Sequence, residues 1–122
     1  MINVNTKVKI VDNSGAKIGQ CIKIYGGSKV NVASIGDTIL VAIKEVRSPD
    51  KVKKGDISKA IVVRINTNVT RSNGLTIRLY ENAVILINNK GEPLGTRIFG
   101  LIPAELRYKK QIKILSLATN II

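Results

Sequence analysis

The chain has 122 residues, 44% of them hydrophobic, and a formal charge of +12 from 20 Lys and Arg against 8 Asp and Glu. A chain of this length buries enough surface for one core without disulfides, and one this apolar folds rather than staying a basic tail. The charge calls for a polyanionic partner, nucleic acid first, while the lack of histidine removes the commonest general base and the commonest metal ligand, so no catalytic residue, metal or cofactor is expected.

Taken in chain order, the pattern is β-dominated. Residues 7–11 alternate polar and apolar, and Asp12-Asn13-Ser14-Gly15 follows as a turn. Over 18–24, Ile18, Gln20, Ile22 and Ile24 share one face of a predicted strand, with Gly19, Cys21 and Lys23 on the other. Gly26-Gly27-Ser28 breaks it. A short strand is predicted over 30–33, a turn at Gly36-Asp37, and a long β-branched strand over 38–46 with Ile39, Val41 and Ile43 on one face. Ser48-Pro49-Asp50 opens a loop carrying Lys51, Lys53 and Lys54, which Gly55-Asp56 closes.

Residues 59–65 form the next predicted strand. Asn73-Gly74 is the strongest hairpin signal, with arms over 70–72 and 75–80. The continuous apolar run 83–87 reads as a strand buried on both faces, followed by a polar loop over 88–93. A helix is predicted over 103–110. Pro103 suits its first turn, Glu105 its N-terminal end, and Lys109 and Lys110 its C-terminal end. Short strands, frequent glycine turns and one late helix describe a small β-barrel. The first ten residues lack the continuous apolar stretch of a signal peptide, and no apolar run approaches the ~20 residues of a membrane span.

The charge is spread evenly. Residues 1–61 carry 11 basic and 5 acidic residues and residues 62–122 carry 9 and 3, so each half holds +6. That distribution implies several contact faces on one folded body rather than one basic arm. Lys51, Lys53 and Lys54 repel one another on a loop, which fits contact with phosphates. Arg64, Arg71, Arg78 and Arg97 lie on or beside strands. Arg64 and Arg78 are expected to project from the sheet and fork onto phosphates, because few acids are available for local pairing.

The four rings, Tyr25, Tyr80, Phe99 and Tyr108, are scattered and read as packing residues. They do not make the stacking face of a single-strand binder, which argues for structured RNA held by backbone and shape. Asp12 and Ser14 read as turn chemistry rather than a nucleophile loop, and Cys21 as a small buried hydrophobe.

Ordered motifs carry a resemblance along nearly the whole chain. They are Asp12-Asn13-Ser14-Gly15-Ala16, Cys21-Ile22-Lys23, Gly26-Gly27-Ser28, Lys51-Val52-Lys53-Lys54-Gly55-Asp56 and Lys59-Ala60-Ile61-Val62-Val63-Arg64. Ile77-Arg78, Asn82-Ala83, Gly95-Thr96-Arg97-Ile98-Phe99-Gly100, Glu105-Leu106-Arg107 and Lys113-Ile114-Leu115-Ser116-Leu117-Ala118 continue the series. In this order and spacing the chain resembles the universal large-subunit ribosomal protein L-fourteen family. It departs from the family's pattern at Leu79, where an aromatic is usual and Tyr80 follows one place later. It also departs after Ser28, where Lys29 precedes Val30 and Asn31, and at Ser48-Pro49-Asp50, which replaces a stretch often rich in Arg and Gly.

The resemblance implies a mainly β domain over 1–122: a small five-stranded antiparallel barrel with a projecting β-ribbon and a short C-terminal helix. It implies a non-enzymatic constituent of the large ribosomal subunit that binds large-subunit rRNA and contributes to a bridge with small-subunit rRNA. The implied neighbours are proteins L-nineteen and L-three, and a ribosome-silencing factor docks on an exposed face. Carried over by motif, that face holds Thr96, Arg97, Lys113 and Ser116. The residues expected to meet rRNA are Lys23, Lys29, Lys44, Lys51, Lys53, Lys54, Arg64, Arg71 and Arg78. A free-standing oligonucleotide-binding-fold protein is the alternative, and it needs the aromatic face that the composition withholds. The Ile-, Asn- and Lys-rich composition leans towards an organelle-encoded copy, mitochondrial ahead of plastid or bacterial.

Overall fold

The computed structural model describes residues 2–25, 32–47, 52–103 and 112–121. In chain order its elements are β1 (Lys7–Ile10), β2 (Ala16–Ile24), β3 (Thr38–Val46), β4 (Ile57–Arg64), β5 (Asn68–Thr70), β6 (Thr76–Arg78), β7 (Ala83–Ile87), β8 (Ile98–Ile102), α1 (Ile112–Leu117) and β9 (Ala118–Ile121). Strands β1, β2, β3, β4 and β7 close into a barrel in that order, β5 and β6 form a separate two-stranded ribbon, and β8 pairs with β9. The predicted strands over 38–46 and 83–87 match β3 and β7 in their bounds.

The barrel is antiparallel at every seam but one: β1 runs parallel to β7, with Lys9 opposite Ala83 and Ile10 opposite Val84. This corrects the expectation of a wholly antiparallel barrel, and the reason is parity. Five strands that alternate in direction around a closed ring must bring two like-directed strands together at the join.

Ile39, Val41 and Ile43 point into the barrel as their spacing requires and are essentially inaccessible. Each such side chain contributes roughly 1.5–3 kcal/mol of burial. Strand β2 differs from its sequence reading. Gly19 and Cys21 face inward, whereas Ile22 is exposed. A bulge between Cys21 and Lys23 then shifts the register, so Ile24 returns to the core side. Period-2 reasoning fails at this point because one inserted residue reverses every face beyond it.

β7 is buried along its whole length. Ile98, Ile102 and Ile114 of the C-terminal segment belong to the same buried apolar cluster. The first hairpin arm is displaced to Asn68–Thr70, and the second, Thr76–Arg78, is shorter than predicted. Gly74 takes φ 88°, its N–H bonds the Arg71 carbonyl at 3.0 Å, and the Arg71 N–H bonds the Leu75 carbonyl at 2.8 Å. Glycine meets this left-handed position without a Cβ clash. β6 stops at Arg78 because Leu79 turns into the core. Of the predicted strand over 30–33, residues 30 and 31 lie outside the described residues, and Ala33 forms a lone bridge to Ile2. The predicted helix over 103–110 lies outside them from residue 104 onward.

Candidate nucleic-acid interface

Alternation along the barrel strands sends apolar residues inward and leaves cations outside. Lys23, Leu40 and Lys59 line up across β2, β3 and β4 by direct register. The Lys23 and Lys59 ammonium groups lie 5.1 and 5.5 Å from the centroid of the Tyr25 ring, which gives both an aromatic support. Lys44 is exposed further along β3. Lys59 was not among the residues singled out from the sequence. Its position opposite Leu40 is a consequence of pairing, although its outward phase was readable from the buried Ala60 beside it.

Lys53 and Lys54 are exposed on the turn between β3 and β4. Asp56 shapes this turn. Its carboxylate accepts the Lys53 N–H at 3.0 Å, and its own N–H donates to the Lys53 carbonyl at 3.1 Å. The Gly55 N–H and the Asp56 carbonyl close the loop against Ile43. The acid is spent on backbone geometry, and the two ammonium groups are left pointing to solvent.

The same holds for other acids. Asp12 is buried, and its carboxylate accepts the Ser14 hydroxyl at 2.6 Å, the Ser14 N–H at 3.2 Å and the Leu86 N–H at 3.1 Å. It thereby ties the end of β1 to β7. Asp37 accepts the Ser34 N–H and hydroxyl. These carboxylates serve the fold by accepting backbone N–H and hydroxyl groups.

Arg64 departs from expectation. It does not project as a free fork: its side chain is 12% exposed, and it pairs with Glu81 at 3.0 Å and donates to the Phe99 carbonyl at 3.3 Å. Its buried Nε has no hydrogen-bond partner, and burial pulls the guanidinium pKa down against the opposing pull of Glu81. The few acids in the chain did not prevent a local pair, because β4 and residue 81 meet only in the fold. Arg64 therefore fastens β8 to the barrel. Lys9 also reaches Glu81, at 3.5 Å, and Lys9, Arg47 and Arg64 share a small cleft there.

Arg71 is half-buried at the ribbon turn, and Arg78 is exposed at the end of β6. The reading of the rings as packing residues is corrected for two of them: Tyr80 is 77% exposed and Phe99 is 41% exposed. Each lies beside an arginine, Arg78 at 5.5 Å and Arg97 at 6.0 Å from the ring centroid. Lys29, Lys51 and Tyr108 lie outside the described residues.

A second surface forms around residues 95–97. The Asn13 Oδ1 accepts the Thr96 N–H at 2.7 Å and the Arg97 N–H at 3.2 Å, and its Nδ2 donates to the Thr96 hydroxyl at 2.9 Å. A Cβ on Gly95 would lie 2.7 Å from that same Oδ1, so the clamp requires glycine there. Thr96 and Arg97 are thus held outward by a residue at the far end of the chain. A cleft of about 400 Å³ brings Thr96 together with Ser116 and Leu117 of α1, with Glu92 and Pro93 on its other wall. Lys113 is on α1 as well.

The fold and its surface define a small closed β-barrel with cations presented across its outer strands, a basic turn and a ribbon. A family comparison gives this class a more particular place. The model of the family described as ribosomal protein L14p/L23e matches residues 1–122, and the chain belongs to that family. It is accordingly a structural constituent of the large ribosomal subunit and resides in the ribosome.

Proposed function

We propose that this chain binds large-subunit rRNA through Lys23, Lys44 and Lys59 on the barrel, Lys53 and Lys54 on the turn, and Arg71 and Arg78 on the ribbon, together with Lys29 and Lys51. The observation that carries the reading is the exposure of Lys23 and Lys44 on the barrel and of Lys53 and Lys54 on a turn whose Asp56 carboxylate accepts the Lys53 N–H. The rigid barrel holds those cations in fixed positions and lets RNA helices approach one another as their phosphates are neutralised. Arg64 acts from within, by fastening β8.

Thr96, Arg97 and Ser116, with Lys113 on the same helix as Ser116, form the face offered to other macromolecules: small-subunit rRNA at a bridge, the neighbouring proteins L-nineteen and L-three, and a ribosome-silencing factor. The organelle reading, mitochondrial first, rests on the Ile, Asn and Lys bias and on the thinned basic stretch Lys29-Val30-Asn31. The test is Lys53→Glu combined with Lys54→Glu. Losing two phosphate contacts lowers the log–log salt slope of rRNA binding by about two units and reduces incorporation into large subunits. Unchanged incorporation removes the turn from the interface. In the same assay Arg97→Glu spares assembly and impairs factor docking or subunit joining.

A further inference from the structure

Tyr80 is the most exposed of the large apolar side chains among the described residues, at 77%. Both of its neighbours are anchored. Leu79 is buried, and its N–H bonds the Thr67 carbonyl at 3.3 Å. Glu81 is held by Arg64 at 3.0 Å and by Lys9 at 3.5 Å. The backbone on either side of the ring is therefore fixed, and the ring is left outside on a rigid mount.

Arg78 stands two residues earlier, on the same side of the extended chain, with its guanidinium 5.5 Å from the ring centroid. From residue 66 to residue 80 the chain carries Arg71 and Arg78 and no acid. The first acid beyond, Glu81, already faces two cations. An exposed ring on an anchored stretch of backbone, with a guanidinium beside it, has the chemistry of a stacking platform for one nucleobase. A protein partner would also accept an exposed tyrosine, but Arg78 beside the ring, and a Glu81 carboxylate already paired with Arg64 and Lys9, match a phosphate-bearing ligand better than a mixed protein surface.

We propose that Tyr80, flanked by Arg78, stacks one unpaired base of the large-subunit rRNA, adding a non-electrostatic contact to the phosphate contacts of the barrel. This rests on the rRNA-binding reading above. A single exposed ring makes this a one-base site, and Arg78 supplies the contact to that nucleotide's phosphate.

The experiment uses the full chain and large-subunit rRNA transcribed from its own source, with binding measured over a salt series and nucleotide reactivity mapped by acylation of 2′-hydroxyls. Tyr80→Ala is expected to weaken binding about 5- to 150-fold, the range for losing one base–aromatic stack, with the salt slope unchanged. One nucleotide should gain reactivity, and Tyr80→Phe should bind within two-fold of the parent. Binding by Tyr80→Ala within two-fold, with an unaltered reactivity map, overturns the proposal. So does an unaltered map when large subunits assembled in cells with the Tyr80→Ala chain lack a neighbouring ribosomal protein, which assigns the ring to a protein. Failure of the parent chain to bind the transcript at all is a different result, and it overturns the rRNA reading itself. Circular dichroism of each variant confirms that an exposed substitution has left the fold intact.

Discussion

Asn13 is the point at which a local turn residue sets the geometry of a distant surface, and its removal has a calculable effect. Asn13→Ala deletes three side-chain hydrogen bonds, to the Thr96 N–H, the Arg97 N–H and the Thr96 hydroxyl. Each is worth about 0.5–1.5 kcal/mol net. The site is exposed and water replaces part of the loss, so a destabilisation of about 1–2 kcal/mol is expected, or a fall in Tm of about 3–8 °C. The effect is concentrated locally. Amide hydrogen exchange at Thr96 and Arg97 should accelerate more than at the barrel strands. Asn13→Asp separates geometry from chemistry, because a carboxylate still accepts both N–H groups and the Thr96 hydroxyl turns to donate. Its cost should stay within about 0.5 kcal/mol. Equal losses in the Ala and Asp variants, or unchanged exchange at residues 96 and 97 in Asn13→Ala, would refute the reasoning.

Two further outcomes follow from the buried groups. Glu81→Ala strands the Arg64 guanidinium, whose Nε already lacks a partner, and should cost about 2–3 kcal/mol in urea unfolding, whereas Arg64→Met removes the charge together with its burial penalty and should cost less; the reverse order would sink the account of Arg64 as a fastener of β8. Burial pushes the Cys21 thiol above its ordinary pKa of 9.0, so the fold favours the protonated form. Its stabilisation is complete below that value and declines as pH rises through the folded pKa. Urea midpoints should therefore fall more steeply above pH 9 in the parent than in Cys21→Ala, and parallel profiles would exclude the thiol as the cause.

The alternation of Ile39, Val41 and Ile43, the apolar run of β7 and the turns at Gly55 and Gly74 were legible because each depends on spacing within a few residues. The even spread of charge, and the poverty of acids to offset it, were equally a property of the chain. Together these gave a β-barrel with a polyanion-facing surface. The bulge at Cys21 and Lys23 was not legible, since it is defined by what β3 places opposite. Nor was the burial of Arg64, because Glu81 and the Phe99 carbonyl reach it only once β4, the start of β7 and β8 have met. The Asn13 clamp spans 83 residues and exists only when β1 and the segment before β8 are adjacent. The exposure of Tyr80 is not legible either, because a sequence does not say which of two neighbouring apolar residues turns inward. The fold buries Leu79 and leaves Tyr80 outside. Local periodicity and composition are written in single stretches of chain. Which charges face solvent and which are consumed within is decided by pairings between stretches, and those follow from closing the barrel.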